Sequence, residues 1–312
     1  MEPIKMRVAQ KRALTEQIAE FTLVPLEDAN LPPYTAGAHV TVKTPSGAMR
    51  RYSLVGGTSD SSKYVIAVKR EPQSRGGSAS MHDMATEGTD LLVEPPENDF
   101  ELTDVSEYLL IAGGIGVTPI YAMAQELERQ KKRFKIIYCT RSQNETAYLD
   151  EMTVAFGDRI LIHHDDGDPA KVYDFWDHFA EPQTTHVFCC GPQPLMEEIR
   201  AVSGHWPEGR VHFEDFKPVE VVRADDVAFD VTLSKSGKTV TVPADRSILE
   251  ALRDSGHQTV SSCESGTCGT CKTRILKGEA EHRDMVLMDH EKGDHIMICV
   301  SRAKSGDLVL DL

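Results

Sequence analysis

The chain has no run approaching the eighteen or so apolar residues of a membrane-spanning helix, which excludes a helical membrane span. Its first residues, MEPIKMRVAQKRALTEQ, lack the apolar core of a signal peptide, so a cytoplasmic location is expected. No internal repeat or low-complexity tract occurs, and repeat architectures fall away with them. Basic residues are in deficit: 34 Lys+Arg stand against 49 Asp+Glu, for a net charge of −15. That balance argues against a nucleic-acid partner. The deficit is uneven, because from Ala228 onward 11 Lys+Arg face 13 Asp+Glu, leaving most of the negative charge in the first 227 residues. Solubility accounts for this in the ordinary way; electrostatic choice of a protein partner is the other reading. The seven cysteines are odd in number and lack even, framework-like spacing, so a disulfide scaffold is not expected. In a reducing compartment, clustered cysteines bind metal or do redox work.

At 312 residues the chain has room for two or three domains. Residues 1–102 read as short strands separated by Pro, Gly and Ser clusters. HVTVKTP and YVIAVKRE alternate apolar with polar, no long helical pattern appears, and a small antiparallel barrel is expected. Over residues 103–217 the period changes. EYLLIAGG, FKIIYCT, RILIHH and HVFCCG are apolar runs of strand length. Between them TPIYAMAQELERQ places Ile120, Met123, Ala124 and Leu127 on one helix face, and PLMEEIRAV reads as a further helix. Strands alternating with helices predict a parallel sheet covered on both faces. Residues 218–227, PVEVVRADDV, read as a linker. Residues 228–312 then give a hairpin around Ser236 and Gly237 and a helix over RSILEALRDSG. A capping box of Ser247 and Glu250 would start that helix and Gly256 would end it.

A cysteine loop follows. Cys263, Cys268 and Cys271 are spaced C-x4-C-x2-C, and Cys299 follows after 27 intervening residues. Plant-type [2Fe–2S] ferredoxins use this spacing. Two irons and two sulfides held by four thiolates carry net negative charge, which the backbone N–H groups of a tight loop stabilise. Gly266 and Gly269 let the loop close around them. A four-cysteine zinc site usually pairs two CxxC-like units, whereas here one half is split between Cys263 and Cys299. A CxxC redox disulfide would leave those two unexplained. Cys139 reads as a small core residue. Cys189 and Cys190 end a strand, one for the core and one for a site at the strand's carboxyl end.

Such a cluster accepts single electrons, and something must feed it. AGGIGVTP, from Ala112 to Pro119, lies between strand and helix, where backbone N–H groups can approach a pyrophosphate. It departs from G-x-G-x-x-G at Pro119, and a plain tight turn is the competing reading. CCGP is likewise placed for a crevice at a sheet's carboxyl edge. RRYSL (Arg50 to Leu54) and RGGS (Arg75 to Ser78) suit a flat, phosphorylated ligand: Arg forks onto phosphate and Tyr lies along a ring system. A surface arginine pair on an edge strand is the alternative. His163, His164 and Asp165 to Asp168 form a polar cluster open to three readings: a metal site, a loop near the adenosine of a dinucleotide, or a solvated turn.

Taken in order, RRYSL, VIAVKR, RGGS, AGGIGVTP, CCGP, HFEDF and SSCESGTCGTCK resemble the phthalate dioxygenase reductase family, over essentially the whole chain. The resemblance implies three domains: an antiparallel β-barrel flavin domain, an α/β parallel-sheet nucleotide domain and an α+β β-grasp ferredoxin domain. It implies FMN as flavin and NADH as donor. FMN would be held by Arg50, Arg51, Tyr52, Ser53, Ala67, Val68, Lys69, Arg75, Gly76, Gly77, Ser78, Thr118 and Phe216, with Arg50 at the phosphate and Ser53 beside the ring's N5. NADH would meet Gly113, Gly114 and Gly116 at its pyrophosphate and Cys190, Gly191 and Pro192 at its nicotinamide. Ser53, Cys190 and Phe216 would flank the hydride transfer. Cys263, Cys268, Cys271 and Cys299 would hold the [2Fe–2S] cluster. The implied activity is NADH-dependent reduction of a Rieske oxygenase for an aromatic ring, phthalate first, by a monomer. A reductase for another Rieske oxygenase or demethylase is the near alternative. Arg141 keeps NADPH open by charge, and FAD stays open by residues alone. A redox-sensing or zinc-stabilised binding module is the alternative of a different class.

Overall fold

Alternating burial builds the first sheet. In β1 (Ile4–Ala13) Met6 and Val8 point inward while Lys5 and Arg7 face water, and β2 (Ile18–Pro25) buries Phe21 and Leu23. With β3 (His39–Lys43), β4 (Met49–Ser53), β5 (Tyr64–Lys69) and β6 (Asp90–Val93) they form a six-stranded antiparallel sheet, order β4-β3-β6-β1-β2-β5. Its two end strands meet through a bridge between Leu54 and Ile66, and the sheet closes as the expected barrel. A seven-residue helix, α1 (Gly77–Asp83), follows β5. The computed structural model describes all residues except 1, 28–29, 59, 72–75, 217–222, 224, 262–265, 267–268 and 285.

The parallel sheet is equally regular. It contains β7 (Glu107–Gly113), β8 (Arg133–Thr140), β9 (Ile160–His164), β10 (His186–Cys190) and β11 (Val211–Glu214), in the order β11-β10-β7-β8-β9. The helices are α2 (Val117–Arg129), α3 (Leu149–Phe156), α4 (Trp176–Phe179) and α5 (Gln193–Ser203). The face of α2 read from the sequence is the buried one: Ile120, Met123, Ala124 and Leu127 all lie in the core. One apolar cluster runs from this face of the sheet to Ile18, Ala36, Val55 and Ala67 of the barrel, so residues 1–214 form a single compact unit. Polar contacts reinforce the join: Gln125 Nε2 donates to Val55 O at 3.0 Å, and Tyr148 OH donates to Glu20 Oε2 at 2.9 Å. Gly37, at φ 95°, passes so near Phe100 that a Cβ would sit 2.1 Å from its carbonyl oxygen.

Residues 215–312 form the second unit. Strands β12 (Phe229–Leu233) and β13 (Thr239–Val242) make the expected hairpin, with Gly237 at φ 67°. Helix α6 (Ile248–Asp254) starts at the capping box of Ser247 and Glu250, and Gly256 turns left-handed just beyond it at φ 82°. With β14 (Lys272–Glu281), β15 (His295–Met297) and β16 (Arg302–Leu310) the sheet runs β13-β12-β16-β14-β15. β12 and β16 are parallel and the remaining pairs antiparallel, as in a β-grasp.

A buried ion network was not foreseen in this unit. Asp226, read from the sequence as linker, receives a fork from Arg283 at 2.5 and 2.8 Å. Its carboxylate also lies 3.5 Å from Arg302 Nε, and the three side chains are 6%, 1% and 2% exposed respectively. Hydrogen bonding to Arg283 pulls the Asp226 carboxyl down to about 2. Breaking one partner of such a pair costs about 3–5 kcal/mol, because it strands a buried charge. Among the described residues no helix is long and apolar enough to cross a membrane.

Candidate functional site

The two strands that close the barrel carry most of the residues expected at the flavin. On β4, Arg50 and Tyr52 share one face, and Arg51, Ser53 and the following Val55 share the other. The Arg50 side chain lies across the start of α1, so close that a Cβ on Gly77 would meet its Nε at 2.6 Å. Gly77 is therefore a position where only glycine leaves room for that arginine. Ser78 Oγ accepts from Glu71 N at 3.1 Å, and Gly76, at φ 95°, faces Ser46 across the β3–β4 turn. Arg75 lies outside the described residues.

Tyr52 OH and Ser53 Oγ are both buried and have no hydrogen-bond partner. A buried hydroxyl without a partner costs stability, and burial also raises the Tyr52 phenol well above its usual range. Each hydroxyl, on its own face of β4, is placed to take a polar partner from a heteroaromatic ligand at this strand end, which would supply what is missing. Ala67 belongs to the cluster shared with the nucleotide domain, while the Val68 side chain is packed inside the barrel core. The Val68 carbonyl is taken by His82 Nε2 at 2.8 Å, and Lys69 pairs with Glu71. Val68 thus has no side-chain surface to offer a ligand. Arg51 is engaged away from Arg50: its Nη2 donates to His39 Nδ1 at 3.0 Å and reaches Asp99 at 3.3 Å.

The carboxyl edge of the parallel sheet supplies the second part. The register places Ala112, Cys190 and Glu214 side by side across β7, β10 and β11. Cys190 packs on the face toward the barrel and Cys189 on the opposite face, among Phe175, Phe179 and Met196. Both cysteines are fully buried, each in an apolar cluster on its own face of the sheet, and burial raises the Cys189 thiol to about 12. Cys139 is half-buried against the same apolar cluster as Cys189, and its thiol is likewise raised to about 12.

Gly113, Gly116 and Gly191 have a role the sequence does not reveal. A Cβ on Gly116 would lie 2.3 Å from Cys190 O, and one on Gly113 would lie 2.5 Å from Pro192 Cδ. A Cβ on Gly191 would meet Leu195 Cδ2 at 2.8 Å. These glycines let the AGGIG turn and the CCGP turn pack backbone to backbone. Gly114 alone among the turn glycines, at φ 52°, has open space where its Cβ would be. Thr118 is buried at the start of α2 with its hydroxyl donating to Ile115 O at 3.1 Å. His163 and His164 are held by Lys171 O and Thr140 Oγ1, and no group of metal-ligating side chains occurs among the described residues.

The sequence alone gives Glu214 no role, since HFEDF points to Phe216 only. Its Oε2 is covered and has no hydrogen-bond partner, and burial raises its carboxyl to about 8, with Arg51 opposing the shift and Asp99 adding to it. Its place at the end of β11, level with Cys190, is the signal that could have found it. Phe216 is 41% exposed. The raised carboxyl has a sign that can be checked. The folded protein keeps the proton up to about pH 8, whereas an unfolded glutamate loses it near pH 4.5. Stability therefore falls as pH rises from about 5 to 8. In Glu214→Gln this slope is expected to flatten, as read from thermal midpoints of both proteins across that range.

Of the four expected cluster ligands, Cys271 and Cys299 are described, and both are buried in the apolar core of the second unit at 3% and 2% exposure. Gly266 and Gly269, at φ 77° and 82°, supply left-handed turns in the loop just before Cys271. A Cβ on Gly266 would press within 2.8 Å of Val300 Cγ2. Two buried soft donors, one closing a glycine-turned loop and one in the turn after β15, fit an iron–sulfur group. Cys263 and Cys268 lie outside the described residues.

Comparison with known proteins agrees with this geometry. Residues 231–304 match the family of 2Fe-2S iron–sulfur cluster binding domains, and residues 110–201 match the oxidoreductase NAD-binding domain. The chain is 47% identical to a phthalate dioxygenase reductase of Burkholderia cepacia over 99% of its own length and 97% of the relative's. It is 39% identical to a vanillate O-demethylase oxidoreductase of Pseudomonas sp. (strain HR199 / DSM 7063), covering 99% of this chain and 100% of that one. A solved phthalate dioxygenase reductase, described as a modular structure for electron transfer from pyridine nucleotides to [2Fe-2S], superposes with a TM-score of 0.86. It shares 47% identity over 99% of this chain and 98% of its own.

Proposed function

Because this chain belongs to the phthalate dioxygenase reductase family, we propose that it moves electrons from NADH to the Rieske centre of a phthalate dioxygenase. It is an NADH-dependent iron–sulfur flavoprotein oxidoreductase. FMN held by the barrel residues would supply hydride acceptance from NADH, and a [2Fe–2S] cluster held by the four cysteines would supply single-electron transfer toward the oxygenase. The protein's own residues bind, orient and shield. The observation that carries this reading is the pair of buried, unpartnered hydroxyls of Tyr52 and Ser53 at the barrel seam.

In this reading Arg50 holds the flavin phosphate, with Gly76, Gly77, Ser78 and Arg75 completing that end. Ser53 would hydrogen-bond the ring and Tyr52 lie along it, Ala67 and the Lys69 stem would border it beside Val68, and Thr118 would approach it; the resemblance adds Phe216. Arg51 acts through Asp99 and His39. The packed turns of Gly113 to Gly116 and Cys190 to Pro192 shape the NADH crevice at the carboxyl edge. Glu214, proton-bearing below about pH 8, keeps the wall beside Cys190 neutral. Cys263, Cys268, Cys271 and Cys299 hold the cluster. The functional division runs 1–102, 103–217, a connector over 218–227, and 228–312, in a cytoplasmic monomer.

The test is an anaerobic NADH titration followed by visible absorption. Flavin and iron–sulfur bands are expected to bleach together, and addition of phthalate dioxygenase should reoxidise both. A cluster band that NADH never reduces would instead favour a sensing module.

A further inference from the structure

Asp226 stands where the sequence reads as linker, yet it sits at the centre of a buried chain of contacts that leads to Cys299. Arg283, forked onto Asp226, donates its backbone N–H to Ser301 Oγ at 3.1 Å. Ser301 Oγ in turn donates to Asp284 Oδ1 at 3.1 Å, and Asp284 Oδ2 accepts from Leu287 N at 2.9 Å. Asp284 also touches the cysteine loop, since a Cβ on Gly266 would lie 3.2 Å from its Cα. On the far side of Cys299, Arg302 donates to Val227 O and Pro243 O, both at 3.1 Å, and to Arg246 O. Its guanidinium also lies over the Phe229 ring, 5.0 Å from the centroid. Asp226 thus lies against two guanidinium groups, and one of them belongs to Arg302, three residues past Cys299 and at the exit of the turn that holds it.

We propose that Asp226 is a positioning residue for the cluster: by bridging Arg283 and Arg302 it fixes Ser301, Asp284 and the turn that presents Cys299. This rests on the reading of Cys299 as a cluster ligand. Arg283 also contacts Glu281 at 2.9 Å, but Glu281 has a side chain 35% exposed and water can replace it. Arg223, whose N–H donates to Asp226 Oδ2 at 2.8 Å and whose guanidinium pairs with Glu281, ties the start of the segment to the same network. Residues that orient metal ligands from behind typically contribute 10–100-fold to metal retention.

The experiment uses the full-length, cofactor-loaded protein and a ferrous chelator. Asp226→Asn is expected to release iron about tenfold faster than the wild type. Its reduced cluster should give a broadened electron paramagnetic resonance spectrum, because Cys299 is no longer held in one place. Flavin content and the rate of flavin reduction by NADH should stay at wild-type values. Arg283→Lys keeps a charge but loses the fork, and should behave alike even where Asp226→Asn does not accumulate. Asp226→Glu should recover most of the retention, and Glu281→Gln should sit near the wild type. Wild-type iron release with an unchanged spectrum in Asp226→Asn, or equally fast release in Glu281→Gln, would overturn the proposal. A wild-type protein that carries no iron would instead remove the cluster reading itself.

Discussion

Cys299→Ser is expected to leave flavin reduction by NADH intact while electron delivery to a one-electron protein acceptor falls more than about a hundredfold. Changes behind the ligands cost 10–100-fold in metal sites, and loss of a ligand should exceed them. Cys299 is 2% exposed in the second unit's apolar core, so no water can easily take the vacated position. Serine offers a harder oxygen of much higher pKa in place of a soft thiolate. Apart from Phe216, which lies at the start of the second unit, the residues proposed around flavin and nicotinamide belong to the first unit, and none of them is changed. Cys268→Ser should do the same. Stopped-flow absorbance resolves the two half-reactions. Retention of both at wild-type rate would mean that electrons leave by another route.

The second large effect concerns a single methyl group. Gly116→Ala places a Cβ 2.3 Å from Cys190 O and 2.7 Å from Gly191 N, both backbone atoms. No rotamer change relieves such a clash, so the AGGIG turn must move off the CCGP turn. Overpacking of this kind costs about 1–3 kcal/mol. The kinetic cost should be larger, because misplacing a bound reactant by about 1 Å can cost 10²-fold. The rate of flavin reduction is expected to fall about a hundredfold, with weaker saturation by NADH. Gly114→Ala is the contrast: it meets no neighbour within 4 Å and pays only for a left-handed residue, about 1–2 kcal/mol. Equal behaviour of the two variants would show that the contact between the turns is unimportant.

What the sequence reveals here is what acts at short range. The period-2 and period-3.6 patterns set the barrel strands and the buried face of α2, because each side chain's environment repeats along its own element. The capping box at Ser247 and Glu250 is legible for the same reason: both partners lie within one turn. Helix α1 is too short to show a period, and its C-terminal carbonyls are satisfied by Lys11 Nζ, about seventy residues away, at 2.5 Å from His82 O and 3.0 Å from Ala85 O. Glu214 looks like any strand-end acid until β10 is laid beside it. Gly113 and Gly116 suggest room for a phosphate, but the neighbour that demands glycine is Cys190 to Pro192. Asp226 reads as linker because mixed charge normally means solvent, and its countercharge Arg283 is 57 positions away.

That last contact decides where the polypeptide can be divided. A transplant of the iron–sulfur unit onto a foreign reductase that begins at Ala228, where composition places the border, leaves Arg283 and Arg302 buried without their shared carboxylate. A transplant that begins at Arg223 carries the carboxylate with it. Insertions meant to lengthen the tether belong upstream of Arg223, since extra residues between Asp226 and Phe229 would pull the counterion out of its socket.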